Sequence, residues 1–224
     1  MSAYLEAILM ESRAFGRTAE KHLQQPINPA FYERTKTALQ PFENVFERTK
    51  RYPFIYGLPL RANESQLRGN RGLMHYLESA CGNSAYFVSK MLGMLYKGTL
   101  QDQIGGTHHK ELILCTDNAS VRTIQHEVFH FVHDQLLQET TRLDIERMFG
   151  IAQDCGDLVD KRQINPDEYF AFGGEYFLRK GRIWSPHRKL RKKYPQLHTM
   201  IQRVLSGEKE LLISPSEGQR HGHE

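Results

Sequence analysis

The chain has 224 residues, 39% of them hydrophobic, with 30 Lys and Arg against 26 Asp and Glu for a formal net charge of +4. That length supports a sizeable core, and so small a charge excess is by itself diagnostic of no partner class. Cys81, Cys115 and Cys155 are odd in number and lack metal-knuckle spacing, which excludes a disulfide framework and predicts reduced thiols.

Met1-Ser2-Ala3-Tyr4-Leu5-Glu6 lacks the basic n-region of a Sec signal, and no run reaches the roughly 18 apolar residues of a membrane span. A protein made in a cytoplasm, with no membrane span, is expected. Residues 3–24 place Tyr4, Ile8, Phe15, Ala19 and Leu23 at near-helical spacing, an amphipathic helix that Pro26 ends. Asn28-Pro29 is a cap followed by a first-turn proline. It opens a helix toward Arg51 that Pro41 bends or interrupts. Between 52 and 72, Pro53, Gly57, Pro59, Gly69 and Gly72 argue against any long element. Residues 73–97 return to a helical pattern broken at Gly82-Asn83, and their Met91, Leu92, Met94, Leu95 stripe reads as core. Residues 99–104 and 110–116 read as short strands. Gly105-Gly106-Thr107-His108-His109 joins them, with its two histidines at a polar hairpin tip. A helix then runs to about Gln138, and another over 140–160 with Gly150 and Gly156 as candidate breaks. Asn165-Pro166 repeats the cap-then-proline start, and Ser185-Pro186 opens a last helix to about Leu205, interrupted at Pro195. Residues 206–224 are polar and rich in Gly and Ser, and a loosely ordered tail is expected.

The helix after residue 120 carries His126-Glu127-Val128-Phe129-His130, an HExxH pentad. Residues four apart share a helix face, so both imidazoles can reach one cation. Glu127 lies about 100° round the helix, placed to reach a water on that cation without ligating it. Val121, Ile124, Val128, Phe129, Phe131, Val132, Leu136 and Leu137 make the helix apolar, and buried imidazoles and a carboxylate are costly unless something satisfies them. A zinc ion does so. The apolar run Glu111–Thr116 before it reads as a buried strand, and Asp117, Asn118 and Ser120 offer caps. His133 shares the face of His126 and His130. Three turns span about 10 Å, so it reads as a neighbour of the ligands or a surface residue. Asp134 is a candidate for orienting a ligand imidazole, or for capping or surface pairing. A catalytic zinc takes three protein ligands, and the downstream acidic candidates are Asp154, Asp157, Asp160, Glu168 and Glu175.

Glu168-Tyr169-Phe170-Ala171 resembles the glutamate–aromatic–Phe–Ala motif of the anthrax lethal factor catalytic-domain family, zinc endopeptidases of the gluzincin type. The resemblance covers roughly residues 110–180. It implies that Glu168, 38 residues after His130, is the third zinc ligand. Two further features favour Glu168 over Glu175. It stands in the first turn after Asn165-Pro166, where the helix dipole favours a carboxylate, and a rigid first turn holds a ligand with little loss of freedom. The chain departs from the family at Phe172, where a second acidic residue is expected, and near Lys161, where the family has a tyrosine. An oxyanion-stabilising group would then come from Tyr169, Tyr176, His108, His109 or His187.

The expected fold is α+β: a mostly helical, zincin-like metalloprotease domain with a small sheet. One domain spans 1–205, with a mainly helical part over 1–97 and a zinc-binding core over 98–205. The expected activity is zinc-dependent endopeptidase, with Zn2+ held by His126, His130 and Glu168 and with Glu127 as general base. Peptide substrate would lie along an edge strand, the 110–116 segment. Resemblance to a toxin enzyme implies an effector-like protease acting on a host protein after export without a Sec signal. Arg179, Lys180, Arg182, Arg188, Lys189, Arg191, Lys192 and Lys193 form a basic run that would steer an acidic protein substrate or stand as a solvated helix face. The alternatives are a zinc peptidase recruited to nucleic acid through that run, and a binding protein in which the pentad is structural. Too few aromatics interleave the run for single-strand binding.

Overall fold

The computed structural model describes residues 2–59, 64–81, 85–100, 106–158, 162–179 and 185–215. Among them the architecture is α+β, mostly helical with one three-stranded mixed sheet. No helix among them is long and apolar enough to cross a membrane. The chain falls into two compact units, residues 1–40 with 52–128, and residues 41–51 with 129–224.

The first unit is built on the sheet. Helices α1 (Ala3–Leu23) and α2 (Ala30–Leu39) precede strand β1 (Phe54–Leu58). Helices α4 (Glu64–Gly69), α5 (Arg71–Cys81) and α6 (Ala85–Leu100) lead to β2 (Gly106–His109) and β3 (Leu112–Thr116). Strand order is β1-β3-β2, with β1 parallel and β2 antiparallel to β3. All five β3 residues are buried, as a strand covered on both faces requires. Side chains alternate across the sheet. On one face Tyr56 stacks on Phe15 of α1 at 4.2 Å, and His109 stacks on Phe87 of α6 at 4.1 Å. On the other, Gly57 lies under Phe31 of α2, where an added Cβ would stand 2.7 Å from the ring.

Among the described residues, the 52–72 stretch holds only short elements before α5, as expected; one of them is strand β1, inside which Gly57 admits the Phe31 ring. Of the residues expected to form the hairpin connection, Gly106–His109 are strand β2, so His108 and His109 lie on a strand, and Gly105 lies outside the described residues. The turn is Lys110-Glu111, with Lys110 at φ 52°. Thr99 and Leu100 are helical, and 101–104 lie outside the described residues. Within the 110–116 segment, Leu112–Thr116 is the central strand β3, paired on both sides, so it is not the edge expected to take a substrate.

The second unit is helical. It holds α3 (Glu43–Thr49), entered through a 3-10 turn at Gln40–Phe42 where Pro41 interrupts the preceding helix, and α8 (Glu139–Asp154), α9 (Pro166–Leu178), α10 (Pro186–Lys193) and α11 (Pro195–Leu205). Helix α9 packs against α8, α10 and α11. Gly173 allows the close approach to α11, where a Cβ would meet Leu197 at 2.7 Å, and Gly174 lies against Phe129, which a Cβ would meet at 2.4 Å. Residues 206–215 are not a loose tail. Leu211 and Leu212 are buried, Leu212 bridges Leu137, and Ile213 donates its N–H to Leu136 O at 2.9 Å. Residues 216–224 lie outside the described residues.

Candidate metal centre

Helix α7 (Val121–Phe131) carries the pentad on a continuous α-helix. Of the three candidate caps Ser120 is the one used, its Oγ accepting the Thr123 N–H at 3.1 Å. Asp117 instead accepts the Asn28 N–H at 2.9 Å, and Arg34 donates to the Asp117 and Ala119 carbonyls, fixing α2 to the start of α7. Ile124, Val128, Phe129 and Phe131 are buried. Glu127, 8% exposed, lies over the cross-strand pair Gly106 and Cys115. A Cβ on Gly106 would stand 2.8 Å from its Cγ. Burial, and then the Glu127 charge, push the Cys115 thiol well above its usual pKa.

After Phe131 the helix does not continue regularly to Gln138. Val132–Leu136 form a π-helical turn, closed by Leu137 N–H to Val132 O at 3.0 Å. Such turns recur at functional sites. Side chains and the 206–215 segment take up its carbonyls. Arg51 donates to Gln135 O at 3.2 Å, Arg142 to Asp134 O at 2.9 Å, and Ile213 to Leu136 O.

Helix α9 begins as its sequence predicts. Asn165 Oδ1 accepts the Glu168 N–H at 2.8 Å, and Pro166 takes the first helical position. This turn brings two carboxylates to one imidazole. Glu168 Oε2 lies 3.7 Å from His130 Nε2, and Asp167 Oδ2 lies 2.7 Å from His130 Nδ1. His126 completes the group. One donor atom each from His126, His130 and Glu168 lie within 4.8 Å of one another, the only such metal-ligating group among the described residues. The arrangement can hold a metal ion.

The other candidates lie elsewhere. Asp154 is exposed at the end of α8, and Asp157 pairs with Lys193. Asp160 and Lys161 lie outside the described residues. Glu175 is 3% exposed, with Arg179 Nη1 at 3.9 Å from its Oε1. Asp134 is exposed, and the carboxylate beside His130 is Asp167, which sequence reasoning passed over. Its only signal was its place beside Glu168 in the first turn of a capped helix. His133 is not a surface residue: it is 7% exposed, with Nδ1 3.4 Å from Asp167 Oδ1. Burial lowers its pKa against the opposing pull of Asp167 and Asp134.

Of the candidate oxyanion groups, Tyr169 is buried against Phe149, and burial, with Tyr194 adding, pushes its phenol up to about 12. His187 Nδ1 lies 2.6 Å from Phe177 O, and His108 Nε2 lies 2.6 Å from Lys110 O. Tyr176 is half-buried on α9. The basic residues Arg188, Lys189, Arg191, Lys192 and Lys193 are exposed on α10, which buries only Leu190. Comparison of the chain with protein-family profiles, with curated proteins and with solved structures gives no match.

Proposed function

We propose that the chain is a zinc-dependent endopeptidase with a zincin-like core, in which His126, His130 and Glu168 hold the ion and Glu127 is the general base. The observation that carries this reading is the convergence of three donors, two from an HExxH helix and one from the first turn of α9. Two imidazoles and a carboxylate fit a catalytic zinc, which keeps a fourth position open. The spacing also fits. Ligand atoms about 2.0–2.1 Å from a tetrahedral ion are roughly 3.4 Å apart, and His130 Nε2 and Glu168 Oε2 are 3.7 Å apart. His126 and Glu168 are half-buried, which leaves substrate a way in.

When bound, zinc acidifies a water and polarises the scissile carbonyl. Glu127 would act as the general base there, accepting a proton from water and passing it to the leaving amine. The peptide lies extended along β2, an edge strand among the described residues, whose Gly106 abuts Glu127. The substrate is a protein, drawn in through the exposed cations of α10 when it is acidic. The likeness of Glu168-Tyr169-Phe170-Ala171 to a toxin enzyme supports an effector role on a host protein.

The test compares protein termini in cells making the wild type and Glu127→Gln, alongside zinc content of each purified chain. Glu127→Gln is expected to keep its zinc and lose about 10²–10⁴-fold in turnover. His126→Ala is expected to lose zinc and activity together. Wild-type cleavage by a zinc-replete Glu127→Gln chain would overturn the mechanism.

A further inference from the structure

We propose that Asp167 is the positioning residue of the metal centre, one carboxylate set against two imidazoles, His130 and His133, that fixes which nitrogen of His130 faces the ion. The inference rests on the ligand assignment above. Its first observation is that successive residues of one helical turn address opposite nitrogens of one ring. Asp167 Oδ2 is 2.7 Å from His130 Nδ1, and Glu168 Oε2 is 3.7 Å from His130 Nε2. A carboxylate at Nδ1 favours the tautomer with its proton there and leaves the Nε2 lone pair for the ion.

The second observation is the other oxygen. Asp167 Oδ1 lies 3.4 Å from Nδ1 of His133, so the carboxylate is approached by an imidazole on each side. His133 comes to this position where α7 gives way to the π turn, and its ring is buried at 5.7 Å from Phe170 of α9. The third is rigidity. Pro166 and the Asn165 cap define the turn, and Tyr169 N–H donates to Asn165 O at 2.9 Å. Both acidic side chains are therefore carried on backbone of fixed geometry, at the helix end where a negative charge is favoured. The family resemblance assigns nothing to this position. The second acidic residue it would supply, further along α9, is Phe172 here.

The experiment measures zinc affinity of the full chain by competition with a chelator. Asp167→Asn keeps the size of the side chain and removes its charge, and it is expected to weaken zinc about 10–100-fold, as loss of a ligand-orienting partner does. His133→Asn is expected to weaken it less. Asp134→Asn removes an exposed charge near the same histidine and is expected to change it little. The cobalt-substituted chain supplies a readout that general destabilisation would not move: its d–d absorption should shift in Asp167→Asn and not in Asp134→Asn. Wild-type affinity in Asp167→Asn, or equal loss in Asp134→Asn, would overturn the role. Glu168→Gln separates the two levels. If the wild type binds no zinc, or Glu168→Gln binds as tightly as wild type, the ligand assignment itself falls.

Discussion

Changing Gly174 to alanine tests how α9 is seated, and with it the position of Glu168. The new Cβ would stand 2.4 Å from Cε2 and Cζ of Phe129 and 2.5 Å from Cε1. Carbon atoms pack at about 3.5–4.0 Å, so ring and helix must part by about 1 Å or more. Phe129 has little room to give. It is fully buried, edge-on to Phe42 at 4.8 Å and to Phe170 at 5.7 Å. Alanine gains about 0.8–1.0 kcal/mol of helix propensity over glycine. Overpacking costs about 1–3 kcal/mol, and disturbed ring pairs are worth about 0.5–1.5 kcal/mol each. The balance is a loss of about 1–2 kcal/mol, or roughly 2–8 °C in melting temperature for a chain of this size. Phe129 precedes His130, and Gly174 shares a helix with Glu168, so the same displacement should weaken zinc binding. Thermal unfolding in chelator and a zinc competition assay read the two effects. An alanine variant as stable as wild type, with unchanged zinc affinity, would show that the contact relaxes freely and refute the reasoning.

Gly106→Ala would press a Cβ against Glu127 Cγ at 2.8 Å and Cys115 Sγ at 3.2 Å, so turnover should fall at least about tenfold, within the range general-base catalysis supplies, while zinc stays bound. A wild-type rate would show that Glu127 is not held by β2. Asn165→Ala should cost about 1 kcal/mol by removing the cap on Glu168 N–H, and zinc affinity should fall with it. Unchanged affinity would mean the first turn stands without its cap. Lys189→Glu with Lys192→Glu, both exposed, should slow cleavage of an acidic protein and flatten its salt dependence, leaving a short neutral peptide unaffected. Lys193 is left alone because it pairs with Asp157, and equal loss on both substrates would point to a damaged fold.

Much of the site was legible because its signals are local. The i, i+4 spacing of His126 and His130 needs only a helix, and the Asn165 and Ser185 caps were readable because a side chain three residues away satisfies an end-turn N–H. What was missed is non-local. Strand β1 looked broken by Gly57 between two prolines, and only the packed Phe31 ring explains that glycine. With β1 unseen, β3 was read as an edge. The β2–β3 turn was misplaced because Lys110, not a glycine or asparagine, adopts the positive φ. Leu211, Leu212 and Ile213 sit in a polar stretch with no period of their own, and become structure by pairing with Leu136 and Leu137. The π turn adds a residue to one helical turn, which no apolar period records.

Those omissions share a consequence at α9. Read as sequence, Glu168 is favoured over Glu175 by its place in the first turn, and Asp167 is passed over. The fold separates all three. Glu175 is 3% exposed with Arg179 beside it, and two turns beyond Glu168 it lies about 10 Å along the axis. Burying a carboxylate is costly unless it is paired, and Arg179 is the cation beside this one. The turns that carry Glu175 are also pressed against Phe129 and Leu197 through Gly174 and Gly173. Asp167 and Glu168 stand at the other end, in the first turn, their side chains 36% and 28% exposed, where the helix dipole favours a carboxylate. The packed turns of α9 therefore anchor the helix, and its first turn is the place from which carboxylates can serve His130. The His130–Asp167 and His130–Glu168 contacts both follow from that division; in the proposed site the first supports the ring and the second completes the ligand set.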